Sequence, residues 1–194
     1  MSKYAELLKT NIESSIEAKK CFLAQAEDIE EFSKAVTCLV ESYKNDGRIY
    51  IAGNGGSAAD AQHLAAEFVS KLARDRDPLA AEALTVDTSA LTAIGNDYGY
   101  DEIFARQISG KMRPGDVFLA ITTSGNSPNI LRALEVCREL CIPSILFTGH
   151  QGGKAKSLAN YCIIAAGKST ATIQELHIVL AHSLCECVEV EIFG

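Results

Sequence analysis

The feature that most narrows the fold is an alternation. Five short apolar runs stand at 48–53 (RIYIAG), 80–86, 116–122 (DVFLAIT), 143–149 (PSILFTG) and 160–166 (NYCIIAA). Each is bounded by turn residues, and segments with helical periodicity lie between them, at about 57–72, 88–95, 101–111, 127–140 and 172–191. Short apolar runs of this kind read as fully buried strands, and strands alternating with helices build a parallel sheet covered on both faces. The expected fold is therefore a three-layer α/β architecture, a parallel sheet flanked by helices.

Two helical stripes precede the first strand. Tyr4, Leu8, Ile12 and Ile16 recur at four-residue steps, and Ile29, Phe32, Val36, Leu39, Val40 and Tyr43 form a second apolar face. Gly47 is placed to end that helix as its C′ residue. Residues 1–47 read as a helical arm on an α/β core of 48–194, one domain over 1–194, with no repeat, low-complexity tract or linker. Long apolar stripes on an arm predict burial against another copy of the chain.

Two turns carry the chemistry. The first is AGNGGSAADAQHLAAEF, residues 52–68. Glycines between a strand and a helix let the backbone approach a ligand and expose N–H groups at the positive helix end. Gly53-x-Gly55-x-x-Ala58 fits a loose dinucleotide fingerprint. That fingerprint needs an acidic residue about 20 positions on, and the nearest candidate, Asp87, comes 34 positions after Gly53. The second turn, TTSGNSPN, follows the 116–122 strand. Thr122, Thr123, Ser124 and Ser127 offer four hydroxyls, Gly125 relaxes the turn, and Ser127 and Pro128 are suited to N-cap and N1. Hydroxyls gathered at a helix start hold a phosphate monoester without formal positive charge.

The bulk properties are consistent with a small anionic ligand rather than a polymer. The net charge is −7, and no Lys/Arg cluster suited to nucleic acid is present. No run approaches the roughly 18 apolar residues of a membrane span, and the first residues lack a signal-peptide core. Seven cysteines at irregular spacings predict a reduced, cytoplasmic protein. Cys185 and Cys187 lie near His182, but neighbours two apart on a helix face different ways, so they read as buried thiols.

GNGGSAADAQH, AIGNDYG, TTSGNSPN and the terminal IQELHIVLAH, in this order and over nearly the whole chain, resemble the phosphoheptose isomerases of the sugar-isomerase (SIS) superfamily. The resemblance implies an SIS-type, flavodoxin-like fold, a homotetramer, and interconversion of sedoheptulose 7-phosphate with D-glycero-D-manno-heptose 7-phosphate. That reaction is the first step toward the heptose of lipopolysaccharide, capsule or a related glycan. The resemblance also implies Glu67 as base, His182 as acid, and a zinc site built from His63, Glu67, Gln174 and His182. Substrate contacts carry over to Asn54, Gly55, Gly56, Ser57, Glu67, Asn96, Asp97, Thr122, Thr123, Ser124, Ser127 and Gln174. Thr122, Lys71 and Thr172 depart from the pattern, which commonly has Ser, Arg and Arg there.

The residues themselves support half of that metal set. His63 and Glu67, four apart, share a helix face about 6 Å apart. Gln174 and His182 are separated by a helical rise of about 12 Å. They meet one ion only if long side chains converge, the helix start is irregular, or different subunits contribute. His177 is a rival ligand. Two rival functions remain at this level: a non-catalytic SIS binding protein that engages a replication initiator, and an isomerase for a pentose or hexose phosphate.

Overall fold

The computed structural model describes residues 2–194. Its elements follow the alternation: α1 (Lys3–Leu23), α2 (Ala26–Lys44), β1 (Ile49–Gly53), α3 (Gly56–Val69), β2 (Ala81–Ala83), α4 (Thr88–Asp97), α5 (Ala105–Lys111), β3 (Val117–Thr122), α6 (Pro128–Glu139), β4 (Ser144–Gly149), β5 (Tyr161–Ala165) and α7 (Thr170–Phe193). Short 3-10 turns at Tyr100–Glu102 and Lys154–Ser157 complete it. All strand pairs are parallel and the order is β2-β1-β3-β4-β5, the flavodoxin-like arrangement.

The period-2 alternation of each strand divides the core in two. Ile49, Ile51, Leu119, Ile121, Ile145 and Phe147 point to the face covered by α2, α3 and α7. Tyr50, Ala52, Phe118, Ala120 and Leu146 point to the face covered by α5 and α6. Both faces being apolar is what makes the strands read as continuous apolar runs.

Several details differ from the sequence expectation. α2 is a core helix rather than part of an arm: Ala35, Val36, Leu39 and Val40 are buried in the first core, and the Asp28 carboxylate accepts the Ile164 N–H of edge strand β5 at 2.9 Å. Only α1 projects, with Ala18 and Phe22 buried. Gly47 is not the C′ residue. Asp46 takes the left-handed conformation (φ 60°), and Gly47 N–H reaches back to the Ser42 carbonyl at 2.9 Å, one position further on. A side chain at 47 would collide with the Gly115 carbonyl, which is why that position is glycine. The 80–86 run yields a strand of three residues only, at the sheet edge. The 101–111 segment divides into a 3-10 turn and α5. α3 stops at Val69, because the Phe68 carbonyl is taken by Leu79 N–H and Arg76. Among the described residues, no helix is long and apolar enough to cross a membrane.

Candidate functional site

The strand order reverses between β1 and β3, since β2 lies on one side of β1 and β3 on the other. In open α/β sheets the crevice outside the carboxyl ends of the strands at such a point is where ligands bind. The two glycine-containing turns, 53–56 and 122–127, are the walls of this crevice.

Both turns leave helix donors unused. Gly55 is the N-cap of α3 at φ 57°, a conformation suited to glycine, and no side chain caps the helix. Ser127 occupies the N-cap of α6 with Pro128 at N1, as the sequence predicts, but its hydroxyl does not cap. It lies 3.1 Å from the buried Thr122 hydroxyl instead. By contrast α1, α4 and α7 are capped by Ser2, Asp87 and Ser169. Ser124 is exposed and its hydroxyl accepts the Asn126 N–H at 3.1 Å. Gly125 (φ 64°) presses against the loop that follows β4: a Cβ there would lie 2.0 Å from the Gly152 carbonyl.

A polar bridge joins the two turns. Asn54 and Asn129 exchange amide hydrogen bonds, each 2.9 Å, and Tyr100 OH donates to Asn54 Oδ1 at 3.2 Å. Asn129 is 1% exposed. Asn129 and Tyr100 were missed as functional candidates. Asn129 lies inside the quoted TTSGNSPN motif, and position within that motif was the only available signal. Asn96 and Asp97, at the end of α4, are exposed and bond to each other at 2.8 Å. Ser57 is buried in the first turn of α3.

Deeper along α3 three donor atoms converge. His63 Nε2 is 3.0 Å from Glu67 Oε1, His182 Nε2 is 3.3 Å from the same oxygen, and the two Nε2 atoms are 3.1 Å apart. His182 thus joins a pair 119 residues away. Ligands held at about 2.0–2.1 Å by a tetrahedral ion stand about 3.3 Å from one another. The triangle fits one face of such a shell. The chemistry of the donors agrees: two imidazole nitrogens face each other across a carboxylate oxygen, so lone pairs converge on one point. Glu67 Oε2 is buried without a hydrogen-bond partner. Among the described residues this is the one cluster of three His, Cys, Asp or Glu side chains placed to hold a cation.

Gln174 stands elsewhere. A Cβ on Gly56 would lie 2.4 Å from its Nε2, so the amide rests on the glycine turn. Gly56 meets Gln174 and Glu67 meets His182, so α3 and α7 run in the same direction, and Gln174 lies at the opposite end of the shared face from His182. The rival His177 is fully buried. Its Nε2–H donates to the Thr148 carbonyl at 3.0 Å, and burial lowers its pKa to about 4, so it is a neutral core histidine. Cys185 is buried, with its thiol pushed up to about 12 by burial. Lys71 pairs with exposed Asp75 at 3.3 Å. Thr172 closes a capping box with Ser169 at the start of α7.

The SIS domain family profile matches residues 16–149. A phosphoheptose isomerase of Aneurinibacillus thermoaerophilus is 50% identical over 97% of this chain and 95% of its own. One of Campylobacter jejuni is 48% identical over 96% and 93%. The solved phosphoheptose isomerase of Neisseria gonorrhoeae superposes with a TM-score of 0.90 at 40% identity, covering 97% of this chain and 100% of that one. That of Francisella tularensis gives 0.91 at 34% identity, with the same coverage. The chain belongs to the phosphoheptose isomerase family of SIS domain proteins. The fold, with its flavodoxin-like strand order, is the one the resemblance implies.

Proposed function

We propose that this protein interconverts sedoheptulose 7-phosphate and D-glycero-D-manno-heptose 7-phosphate, feeding heptose synthesis for lipopolysaccharide, capsule or a related glycan. The observation that carries the reading is the convergence of His63, Glu67 and His182 on the helix that opens from the first glycine turn, with a second uncapped helix start across the crevice. A ketose–aldose shift needs a base for a carbon-bound proton, an acid for the neighbouring oxygen, and stabilisation of the developing negative charge. Glu67 takes the proton from carbon and His182 serves the oxygen. Thr122, Thr123, Ser124 and Ser127, with the open start of α6, hold the phosphate. Asn54, Gly55, Gly56, Ser57, Asn96, Asp97 and Gln174 line the sugar.

His63, Glu67 and His182 would hold a zinc ion, which when bound stabilises charge developing on the carbonyl oxygen. Gln174 rests on Gly56, so we assign it to the substrate within one protomer; a metal role for it requires a second copy. Homotetramer assembly fits α1, whose apolar stripe faces outward, Tyr4 being 82% and Leu8 61% exposed. Seven free thiols suit the reducing cytoplasm. Sedimentation at micromolar concentration should give a tetramer, and an active species of about 21 kDa would remove the assembly.

The deciding experiment is incubation with sedoheptulose 7-phosphate in deuterium oxide. Aldose should form and carry deuterium at the carbon that exchanges its proton. Turnover of a pentulose or hexulose phosphate alone would reassign the substrate. No turnover of any phosphosugar would favour a binding protein.

A further inference from the structure

Just past the triangle, the same two helices are joined by an ion pair removed from water. Glu189 lies seven residues beyond His182, two turns along the same face of α7. Its side chain is 0% exposed and that of Arg76 is 2% exposed. Arg76 Nε and Nη2 reach Glu189 Oε1 at 3.0 and 2.9 Å. The Glu189 carboxylate also accepts the Leu72 and Ala73 N–H groups at 3.1 and 3.3 Å. The remaining Arg76 donors turn to the end of α3. Nη2 donates to the carbonyl of Glu67 itself at 3.0 Å, and Nη1 to the Phe68 carbonyl at 2.6 Å.

Those carbonyls belong to the last turn of a helix that ends at Val69, where intrahelical partners run out and ends fray. Glu67 therefore sits in the least self-supporting part of α3. Its carboxylate nevertheless has to remain 3.3 Å from a nitrogen on another helix. Arg76 supplies the missing donors, with positive charge at the negative end of the helix dipole. Glu189 anchors that guanidinium to α7, the helix that carries His182.

We propose that Arg76 and Glu189 are a positioning pair that sets the separation of Glu67 and His182; the inference rests on the catalytic and metal roles assigned above. Stability alone does not call for them, since buried ion pairs replaced by apolar residues of similar volume are often neutral in folding.

The test uses the full chain with the double substitution Arg76→Met/Glu189→Gln, which keeps a neutral acceptor for the Leu72 and Ala73 amides but leaves the Glu67 carbonyl without its donor. Four quantities are read: the urea midpoint, zinc affinity by chelator competition, and kcat and KM for the heptulose phosphate. The expected result is a midpoint near wild type, zinc affinity and kcat each at least tenfold lower, and KM within about twofold. Arg76→Lys, which keeps charge opposite Glu189 but not the fork, should fall between. If the double variant does not fold, Arg76→Lys and Glu189→Gln are judged by the same measures. A folded variant with wild-type zinc affinity and kcat overturns the proposal. Zinc affinity that falls in the variants of a protein that isomerises nothing keeps the positioning pair and overturns only the isomerase reading. A wild type that neither binds zinc nor turns over substrate overturns both.

Discussion

From the two turns of the crevice along α3 to the His63–Glu67–His182 triangle, hydrogen-bonding capacity is left unused. α3 and α6 begin without side-chain caps, two imidazole nitrogens face one carboxylate oxygen, and Glu67 Oε2 has no partner. Past the triangle everything is used. Arg76 spends its donors on Glu189 and on the Glu67 and Phe68 carbonyls, and Glu189 accepts two backbone amides besides. Burial raises the Glu189 carboxyl, and the Leu72 and Ala73 amides and Arg76 more than reverse it, leaving the group below the usual carboxylate range. Unused donors and acceptors cost folding energy and await a ligand; satisfied ones hold shape. Substitutions in the first region should therefore appear in kinetics, and loss of a satisfied helix cap should appear in stability, while the Arg76–Glu189 pair is expected to show in metal affinity and turnover because its bonds hold the place of Glu67.

The largest effect is expected at Glu67. Glu67→Gln keeps the shape and cannot accept a proton, so kcat should fall about 10²–10⁴-fold while the melting temperature holds. Zinc measured in the same protein separates two roles, because a carboxylate bound to a cation is a weaker base. Retained metal with lost turnover assigns Glu67 as base. Lost metal with activity partly restored by added zinc assigns it as ligand. Turnover near the wild-type rate would break the comparison at its centre.

His177 shows what burial does five residues before His182 on the same helix. Its folded pKa of about 4 lies below the ordinary 6.5, so the unfolded chain binds the proton more readily. The stability it contributes is complete above pH 6.5 and is lost as pH falls toward 4. The shift corresponds to about 3 kcal/mol. Denaturant midpoints across that range should decline in wild type and decline less in His177→Gln. Equal slopes in the two proteins would mean that His177 is not held neutral by burial.

Ser127→Ala tests the open start of α6. Loss of a charge-assisted phosphate bond worth about 1.5–3 kcal/mol should raise KM on the order of tenfold, with kcat nearly unchanged. Ser127 caps nothing and its hydroxyl meets only that of Thr122, so the stability lost should be no more than about 1 kcal/mol. An unchanged KM would remove Ser127 from the phosphate site.

Ser169→Ala is the counterpart at a capped helix and should have the smallest effect. Removing the capping box costs about 1 kcal/mol, or roughly 2–4 °C in a chain of this size. Calorimetry showing no loss would mean that caps and bare starts differ less here than their bonding indicates.

Local spacing carried much of the fold. Strands were legible because apolar runs with a turn at each end need no distant information, and the helices because a 3.6-residue period is written in neighbours. The pairing of His63 with Glu67 was equally legible, since four residues on a helix bring two side chains to one face. The α2 face was legible too, but not what it packs against: a stripe states that a helix buries one side, not where. The open start of α6 was only half legible, because Ser127 is a suitable cap by type and only Thr122, beside it in the fold, draws its hydroxyl away.

The sequence by itself determined most element types, the parallel sheet and the two glycine-containing turns, because backbone sterics and side-chain periodicity act over a few residues. The resemblance favoured His182 over His177, and the tertiary structure supplied the physical reason; the tertiary structure alone decided that Gln174 rests on Gly56, that Asn129 bridges the turns, and that Arg76 reaches the Glu67 carbonyl. His177 and His182 lie on one helix, and periodicity alone does not tell them apart. Packing does: α7 lies along both the sheet and α3, and it turns one histidine under β4 and the other onto α3.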